Sequence, residues 1–126
     1  MVWPKLVFPV FLACTMPAWA GKPVAPIGLA SARVAFAAAV AANDEEGAAA
    51  LTSFPLKNTV YKEPARVTRK TFSSRFSEYR RMVACIKTSP LVLERGAWLL
   101  DCDGNILRFG SRGGRWLHTE YENVNE

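Results

Sequence analysis

The chain contains a single histidine, His118, and the residues near it limit the acid–base chemistry that is available. His118 and Glu120 lie in an alternating run, residues 115–121, which is typical of a strand, so both are predicted on one face. With Arg112 and Arg115 nearby, an imidazole, a carboxylate and a guanidinium could provide the base, acid and cation for RNA cleavage. These residue types are common, so His118 and Glu120 are weak catalytic candidates. A histidine on a half-exposed strand with no catalytic role is the simpler interpretation.

Other motifs of catalysis or cofactor binding do not occur in the sequence. One histidine excludes zinc sites with two or three histidines, and no phosphate-binding glycine loop or Gly-x-Ser-x-Gly motif is present. Asp101, Asp103 and Asn105 have the spacing of the first calcium-loop ligands, but the closing glutamate is missing and a hairpin turn explains the run better. We therefore predict no metal and no cofactor, and we favour a protein without catalysis of its own.

The first twenty residues have the layout of a secretory signal peptide. Lys5 gives a positive start, Leu6–Met16 is an apolar run, and Ala18-Trp19-Ala20 has small residues where the peptidase requires them. The apolar segment is short for a membrane anchor, which needs about 20 residues. We predict removal of residues 1–20, no membrane span in the mature chain, and export to the periplasm or extracellular space. An uncleaved anchor and a lipoprotein acylated at Cys14 are the alternatives.

Removal of this leader leaves two cysteines, Cys85 and Cys102, of the three in the chain. In an oxidising compartment the pair is expected to form one disulfide. Closing a loop of this length stabilises a fold by about 3 kcal/mol. Two free, buried thiols are the alternative. The sequence has no Cys-x-x-Cys motif, so it does not support a redox-active dithiol.

Positive charge is concentrated in the middle of the chain. Residues 57–95 hold ten Lys and Arg against three acidic residues, whereas the whole chain has a formal charge of +5. Such a segment attracts anions, which predicts an acidic protein or an anionic envelope component as partner, with nucleic acid as a second class. A solvated helix face that only keeps the protein soluble is the alternative. The candidate binding residues are Arg66, Arg69, Lys70, Arg75, Arg80, Arg81, Arg112 and Arg115.

These residues must be positioned by a helix and by the strands that follow it. Phe72, Phe76, Tyr79 and Val83 recur at helical spacing and predict an amphipathic helix over residues 71–83, although residues 83–88 could instead form a strand. After Pro90, short apolar runs alternate with turn signals, which predicts a β-meander. The turn signals are Arg95-Gly96, the hairpin dipeptide Asp103-Gly104, and a glycine-rich loop over 110–114 that could also form an anion nest around Arg112.

The sequence therefore predicts an α+β domain over residues 57–126. It consists of one amphipathic helix packed on a three- to four-stranded antiparallel β-meander, stapled by the disulfide. Residues 21–56 are predicted to be a Pro/Ala-rich arm, partly helical or disordered, with one helix from Ser31 to Ala42 and a second capped by Asp44. The predicted core of the strands is Trp98, Leu100, Ile106, Phe109, Trp116 and Leu117.

These features together predict a small exported binding or accessory protein. An inhibitor, an immunity protein or a component of a secretion or conjugation apparatus would fit an export signal, one disulfide and a basic segment. A small secreted ribonuclease or toxin that uses His118 with a carboxylate is the alternative. A membrane-active cationic protein is a third reading, but it would need an exposed amphipathic helix, and the aromatic stripe is more simply used as core.

Overall fold

The computed structural model describes residues 23–60 and 62–124, which form a mixed α+β fold. Within these ranges there are four helices: α1 (Ile27–Ala41), α2 (Glu45–Ala50), α3 (Arg69–Arg81) and α4 (Val83–Thr88). Six strands form one sheet: β1 (Thr52–Asn58), β2 (Arg66–Val67), β3 (Val92–Glu94), β4 (Ala97–Cys102), β5 (Asn105–Arg112) and β6 (Arg115–Asn123). The predicted leader and Cys14 lie outside the described residues.

The sheet has the strand order β2-β1-β6-β5-β4-β3. Strands β1 and β6 are parallel, and the other neighbouring strands are antiparallel. The α+β class is confirmed. The predicted single helix and three or four antiparallel strands are fewer than the four helices and six strands observed. The first strand reaches the sheet through a long-range pairing, Thr52 with His118, that local sequence patterns do not reveal.

Strands β3 to β6 are joined by three hairpins, and each turns through two residues with positive φ. The turn residues are Arg95-Gly96, Asp103-Gly104 and Gly113-Gly114. Two successive positive φ angles match the twist of the flanking strands, which explains the glycine in every turn. The first two turns are where the sequence predicted them. The predicted loop over 110–114 is instead the end of β5 followed by a tight turn.

The alanine-rich segment is part of the fold rather than a loose arm. Helix α1 buries Leu29, Phe36 and Val40 completely, and it packs on α4 and β6. Strand β1 begins at Thr52, so the predicted boundary between residues 56 and 57 falls inside a strand. Three large side chains are enough to anchor α1 because alanines allow the helix to lie close to its neighbours.

In this segment the predicted helix cap at Asp44 is confirmed, although the packing of the segment was not predicted. The Asp44 side chain accepts a hydrogen bond from the backbone N–H of Gly47 at 2.9 Å, which caps α2 as predicted. Helix α1 begins earlier than predicted, after Pro26 rather than at Ser31. Pro26 is the N-cap residue, where its carbonyl accepts a hydrogen bond from the N–H of Ala30 and its missing N–H costs no hydrogen bond of the helix.

Helix α3 directs the predicted aromatic stripe towards the sheet. Thr68 caps the helix by accepting a hydrogen bond from the N–H of Thr71, and Phe72, Phe76 and Tyr79 are buried. The chain continues through Met82 into α4, so residues 83–88 are helical and the strand alternative is wrong.

One hydrophobic core fills the space between the helices and the inner face of the sheet. Of the predicted core residues, Trp98, Leu100 and Phe109 lie in it. Trp116 is half-buried against it, whereas Ile106 is buried outside it, on the outer face of the sheet, where it pairs with Glu122. The large core residues that the prediction omitted include Leu29, Phe36, Val40, Leu56, Ile86, Leu107 and Tyr121.

The predicted cysteine pair lies at disulfide distance. The Sγ atoms of Cys85 and Cys102 are 2.14 Å apart and their Cα atoms 5.7 Å apart. The bridge joins α4 to the end of β4, next to the Asp103-Gly104 turn. Over residues 23–60 and 62–124, no helix has the length and apolar character needed to cross a membrane.

Candidate functional site

His118 lies in the core and has no exposed surface. Its Nδ1 is 3.1 Å from the carbonyl oxygen of Arg108, which can only accept, so this nitrogen carries the proton and donates. Its Nε2 accepts a hydrogen bond from the Tyr79 hydroxyl at 2.8 Å. The rings of Phe36 and Phe109 pack around the imidazole, with centroids 5.5 and 5.7 Å away. Both imidazole nitrogens are therefore used inside the protein.

A β-bulge separates His118 from the carboxylate with which it was predicted to act. In the β5–β6 ladder, Arg108 pairs with Glu120 but Phe109 pairs with His118, which leaves Thr119 as an extra residue. The extra residue reverses the alternation of side chains along β6. His118 therefore faces the core, whereas Glu120 faces outward beside Arg108, and the predicted catalytic constellation does not assemble.

Burial also changes the acid–base properties of this pair. Burial lowers the pKa of His118 to about 4, against a smaller upward effect of its hydrogen bond to Arg108. Burial likewise raises the pKa of Tyr79 above its ordinary value. Both groups are neutral at pH 7, and neither has a solvent path for exchanging protons with a substrate. The arrangement is that of a structural histidine in an aromatic core.

Arg69, one of the predicted binding residues, is used to join two helices. It forms an ion pair with Glu45 at 3.0 Å and a second with Glu46, both in α2. Ser73 also donates to the Glu45 carboxylate, and the hydrogen bonds from Ser73 and Arg69 lower the pKa of Glu45. This cation is neutralised by the acidic first turn of α2.

Arg75 is neutralised in a similar way from the other side of α3. It pairs with Glu63 and, at 3.8 Å, with Glu78, and its guanidinium lies 5.1 Å from the centre of the Tyr121 ring. Most of the Arg75 side chain is buried, with 13% exposed. Neither Arg69 nor Arg75 is available as an open anion-binding group.

Three cations near the junction of α3 and α4 have a different environment. Arg80, Arg81 and Lys87 are exposed, and among the described residues none of them forms an ion pair. We call these three residues the basic corner. All three lie in the last turn of α3 or α4, where positive side chains interact favourably with the helix dipole. Helix stability is therefore an alternative explanation for these charges. Lys70, at the opposite end of α3, is exposed as well.

The remaining predicted arginines are dispersed over the sheet. Arg66 is exposed on the edge strand β2 and donates to the carbonyl of Ala65 at 3.3 Å. Arg112 and Arg115 face each other at the end of the β5–β6 hairpin, where Arg112 donates to the Ser111 carbonyl and Arg115 to that of Ala50. The eight predicted residues therefore do not form one continuous surface.

The outer face of the sheet carries an ion-pair network that the sequence analysis missed. Arg108 approaches Glu122 at 2.7 Å, Glu120 at 3.7 Å and Glu94 at 4.0 Å, and Lys57 approaches Glu120 at 3.8 Å. These residues come from four strands, and only strand register could have brought them together. A cleft of about 420 Å³ borders this network, beside Gly110 of β5.

The Asp101 side chain stabilises the hairpin turn that follows β4. The Asp101 carboxylate accepts a hydrogen bond from the N–H of Gly104 at 2.9 Å, which fixes the turn. In the part of the chain that the structure describes, no group of three or more His, Cys, Asp or Glu side chains could hold a metal ion.

No protein-family model matches this chain, and no curated protein matches it in sequence.

Proposed function

We propose that this chain is a small exported, non-catalytic binding protein whose basic corner contacts an acidic partner in the envelope. The observation that carries the proposal is the division of the cations. Arg69 and Arg75 are neutralised within the fold, whereas Arg80, Arg81 and Lys87 are exposed without ion pairs among the described residues. Exposed cations without ion pairs attract an acidic surface and accelerate its association.

Export is supported by the cysteine pair. A disulfide persists in the periplasm or outside the cell and is rare in the cytosol. The Cys85–Cys102 pair is consistent with the predicted leader. Cleavage of that leader would also remove Cys14 and leave these two cysteines. The intact mass of the protein, expressed with its own leader, tests this part of the proposal. We expect a chain that begins at Gly21 and gains two hydrogens on reduction.

The mass measurement also separates the alternatives to a cleaved, secreted chain. Acylation at Cys14 would assign the protein to the membrane surface as a lipoprotein. An uncleaved and fully reduced chain would contradict export, and the cysteines would then have to be considered as free thiols.

The ribonuclease alternative receives no support from the geometry. His118 is buried, neutral and bonded at both nitrogens, and Glu120 faces the opposite side of the sheet. Nucleic acid remains a second class of anion that the basic corner could bind without cleavage. RNA integrity after incubation with the protein and with a His118→Ala variant distinguishes binding from catalysis.

Charge reversal tests the basic corner directly. The full chain and the double variant Arg80→Glu/Arg81→Glu are compared for binding to immobilised poly-glutamate, to anionic vesicles and to an RNA oligonucleotide at low and high salt. The control is Arg66→Glu/Arg95→Glu, which makes the same change in net charge at two exposed residues of other elements.

We expect salt-sensitive binding to poly-glutamate that falls by about tenfold or more in the corner variant and changes little in the control. Equal loss in both variants would show that net charge alone is responsible. Preference for RNA or for vesicles would replace the acidic protein with that class of partner. Absence of binding to any of the three probes would overturn the proposal.

A further inference from the structure

Strand β5 extends beyond the start of β4, and this leaves a notch in the sheet. The β4–β5 ladder ends at the pair Trp98–Phe109, whereas the β5–β6 ladder continues to Arg112–Arg115. Residues 110–112 therefore have a neighbouring strand on one side only. The cleft of about 420 Å³ lies at this open side. Its size is within the range of small-molecule sites, which begins at about 300 Å³.

The open edge presents backbone groups to the cleft. Cys102 and Asn105 flank a two-residue turn, so they form a hydrogen-bonded pair. Hydrogen-bonded and non-hydrogen-bonded pairs alternate along an antiparallel ladder, so Trp98 and Phe109 also form a hydrogen-bonded pair. The next residue of β5 in this alternation is Ser111, whose N–H and C=O point to the side where β4 has ended. The carbonyl accepts from Nη1 of Arg112 at 3.2 Å. The N–H is left to face the cleft.

Arg112 lies along the floor of the notch because residue 110 is glycine. A Cβ built on Gly110 would be 3.1 Å from Nη1 of Arg112, which is closer than such atoms ordinarily approach. A guanidinium has five N–H donors, and the structure gives Arg112 only the bond to Ser111. Its cross-strand partner is Arg115, and like charges placed directly opposite destabilise a ladder. Arg115 donates instead to the carbonyl of Ala50 and does not line the cleft, so Arg112 is the arginine of this pair that reaches it.

The walls of the cleft favour an anion of low charge. Arg108 and Glu120 line it as an ion pair at 3.7 Å, whereas Arg112 lines it without an ion pair among the described residues. Trp98, Trp116 and Thr119 complete the lining. A planar carboxylate matches the fork of an arginine, and its single charge is tolerated beside Glu120 better than that of a phosphate dianion.

We propose that this notch is a carboxylate-binding site, in which Arg112 and the Ser111 N–H hold the carboxylate beside Trp98 and Trp116. The site is separate from the basic corner and uses a different strand edge. The carboxylate belongs either to a free small acid or to an acidic side chain of a protein partner.

The two tryptophans make the site observable in the full chain. The indole N–H signals of Trp98 and Trp116 are followed in ¹H–¹⁵N spectra during titration with acetate, with a capped glutamate tripeptide and with inorganic phosphate, at constant ionic strength in sodium chloride. The variants are Arg112→Gln and Gly110→Ala. Arg66→Gln is the matched control, because Arg66 is also exposed and also donates to the carbonyl of the preceding residue.

We expect saturable shifts of these indole signals with acetate. Arg112→Gln should weaken the affinity about tenfold, the effect of one charge-assisted hydrogen bond, and Gly110→Ala should weaken it as well by displacing the guanidinium. Arg66→Gln should bind as the unchanged chain does. Tighter binding of the tripeptide than of acetate assigns the carboxylate to a protein partner, and equal binding assigns it to a free acid.

Three results would overturn the proposal. They are equal weakening by Arg112→Gln and Arg66→Gln, tighter binding of phosphate than of acetate, and indole shifts that follow chloride concentration alone. A backbone amide spectrum that changes only near the substituted residue establishes that the fold of each variant is intact. Because Arg80 and Arg81 are untouched in these variants, the outcome is independent of binding at the basic corner.

Discussion

Tyr79 donates its hydroxyl hydrogen to Nε2 of His118 across the core, from α3 to β6, at a distance of 2.8 Å. Both side chains are buried, so the hydrogen bond has no competition from water. It connects the aromatic stripe of α3 to the central strands of the sheet. The hydrogen bond therefore fixes the position of α3 relative to the sheet.

Removing the hydroxyl should be costly. Tyr79→Phe leaves Nε2 of His118 buried without a donor, and we expect a loss of about 1–3 kcal/mol in the free energy of unfolding. Tyr121→Phe is the control, because its hydroxyl bonds to Asn105 in a partly buried position. Urea denaturation of both variants measures the difference, and equal losses would contradict the importance of the Tyr79–His118 bond.

Acid should destabilise the fold through His118. Its pKa is about 4 when folded and 6.5 when unfolded, so the unfolded chain binds the additional proton between these values. The stabilisation is complete above pH 6.5 and decreases as the pH falls towards 4, with a slope of at most about 1.4 kcal/mol per pH unit. Denaturation between pH 6.5 and 5 measures this slope at pH values that are largely above those at which carboxyl groups titrate.

The single histidine also permits a direct observation of that titration. The ¹H–¹³C signal of the His118 ring should not move between pH 7.5 and 5.5 in the folded protein. A midpoint near 6.5 would mean that the ring is accessible to solvent, and the buried arrangement would then be incorrect.

The disulfide should contribute substantially to stability. It closes a loop with a sequence separation of 17, for which chain entropy predicts about 3 kcal/mol. Denaturation of the full chain with and without reductant measures the contribution. A Cys85→Ser/Cys102→Ser variant should match the reduced protein, and identical midpoints under oxidising and reducing conditions would exclude the bridge.

Arg33 should act as a clamp between α1 and the end of α4. Its Nε donates to the carbonyl of Ile86 at 2.6 Å, and its Nη2 donates to that of Ser89. Arg33→Met should cost about 2 kcal/mol, since two charge-assisted bonds are lost and the last carbonyls of α4 lose their donors. Thermal or urea denaturation tests this, with Arg66→Met expected to stay within about 0.5 kcal/mol of the unchanged chain.

Local patterns in the sequence were sufficient for the features that depend on near neighbours. The stripe of Phe72, Phe76 and Tyr79, the cap at Asp44 and the turn at Asp103-Gly104 each follow from a few adjacent residues. The cysteine pair was predicted because only two cysteines remain after removal of the predicted leader, without any information on their positions in space.

Features that depend on distant residues were missed for a common reason. The burial of Phe36 requires the sheet on which α1 packs, and the parallel pairing of β1 requires β6, more than fifty residues later. The faces of His118 and Glu120 were wrongly combined because a single extra residue, Thr119, reverses the alternation and leaves no trace in a pattern of polar and apolar residues. Likewise, ion pairing of Arg69 and Arg75 depends on acids from other segments.

The pairing of the first strand with the last has a consequence for the order of folding. Strand β1 can complete its parallel edge only when β6 is present, and β6 ends at Asn123. Contacts between such distant segments must wait for closure of a loop of more than sixty residues, which slows folding. During synthesis β1 and β2 therefore lack their neighbour in the sheet until β6 has been made.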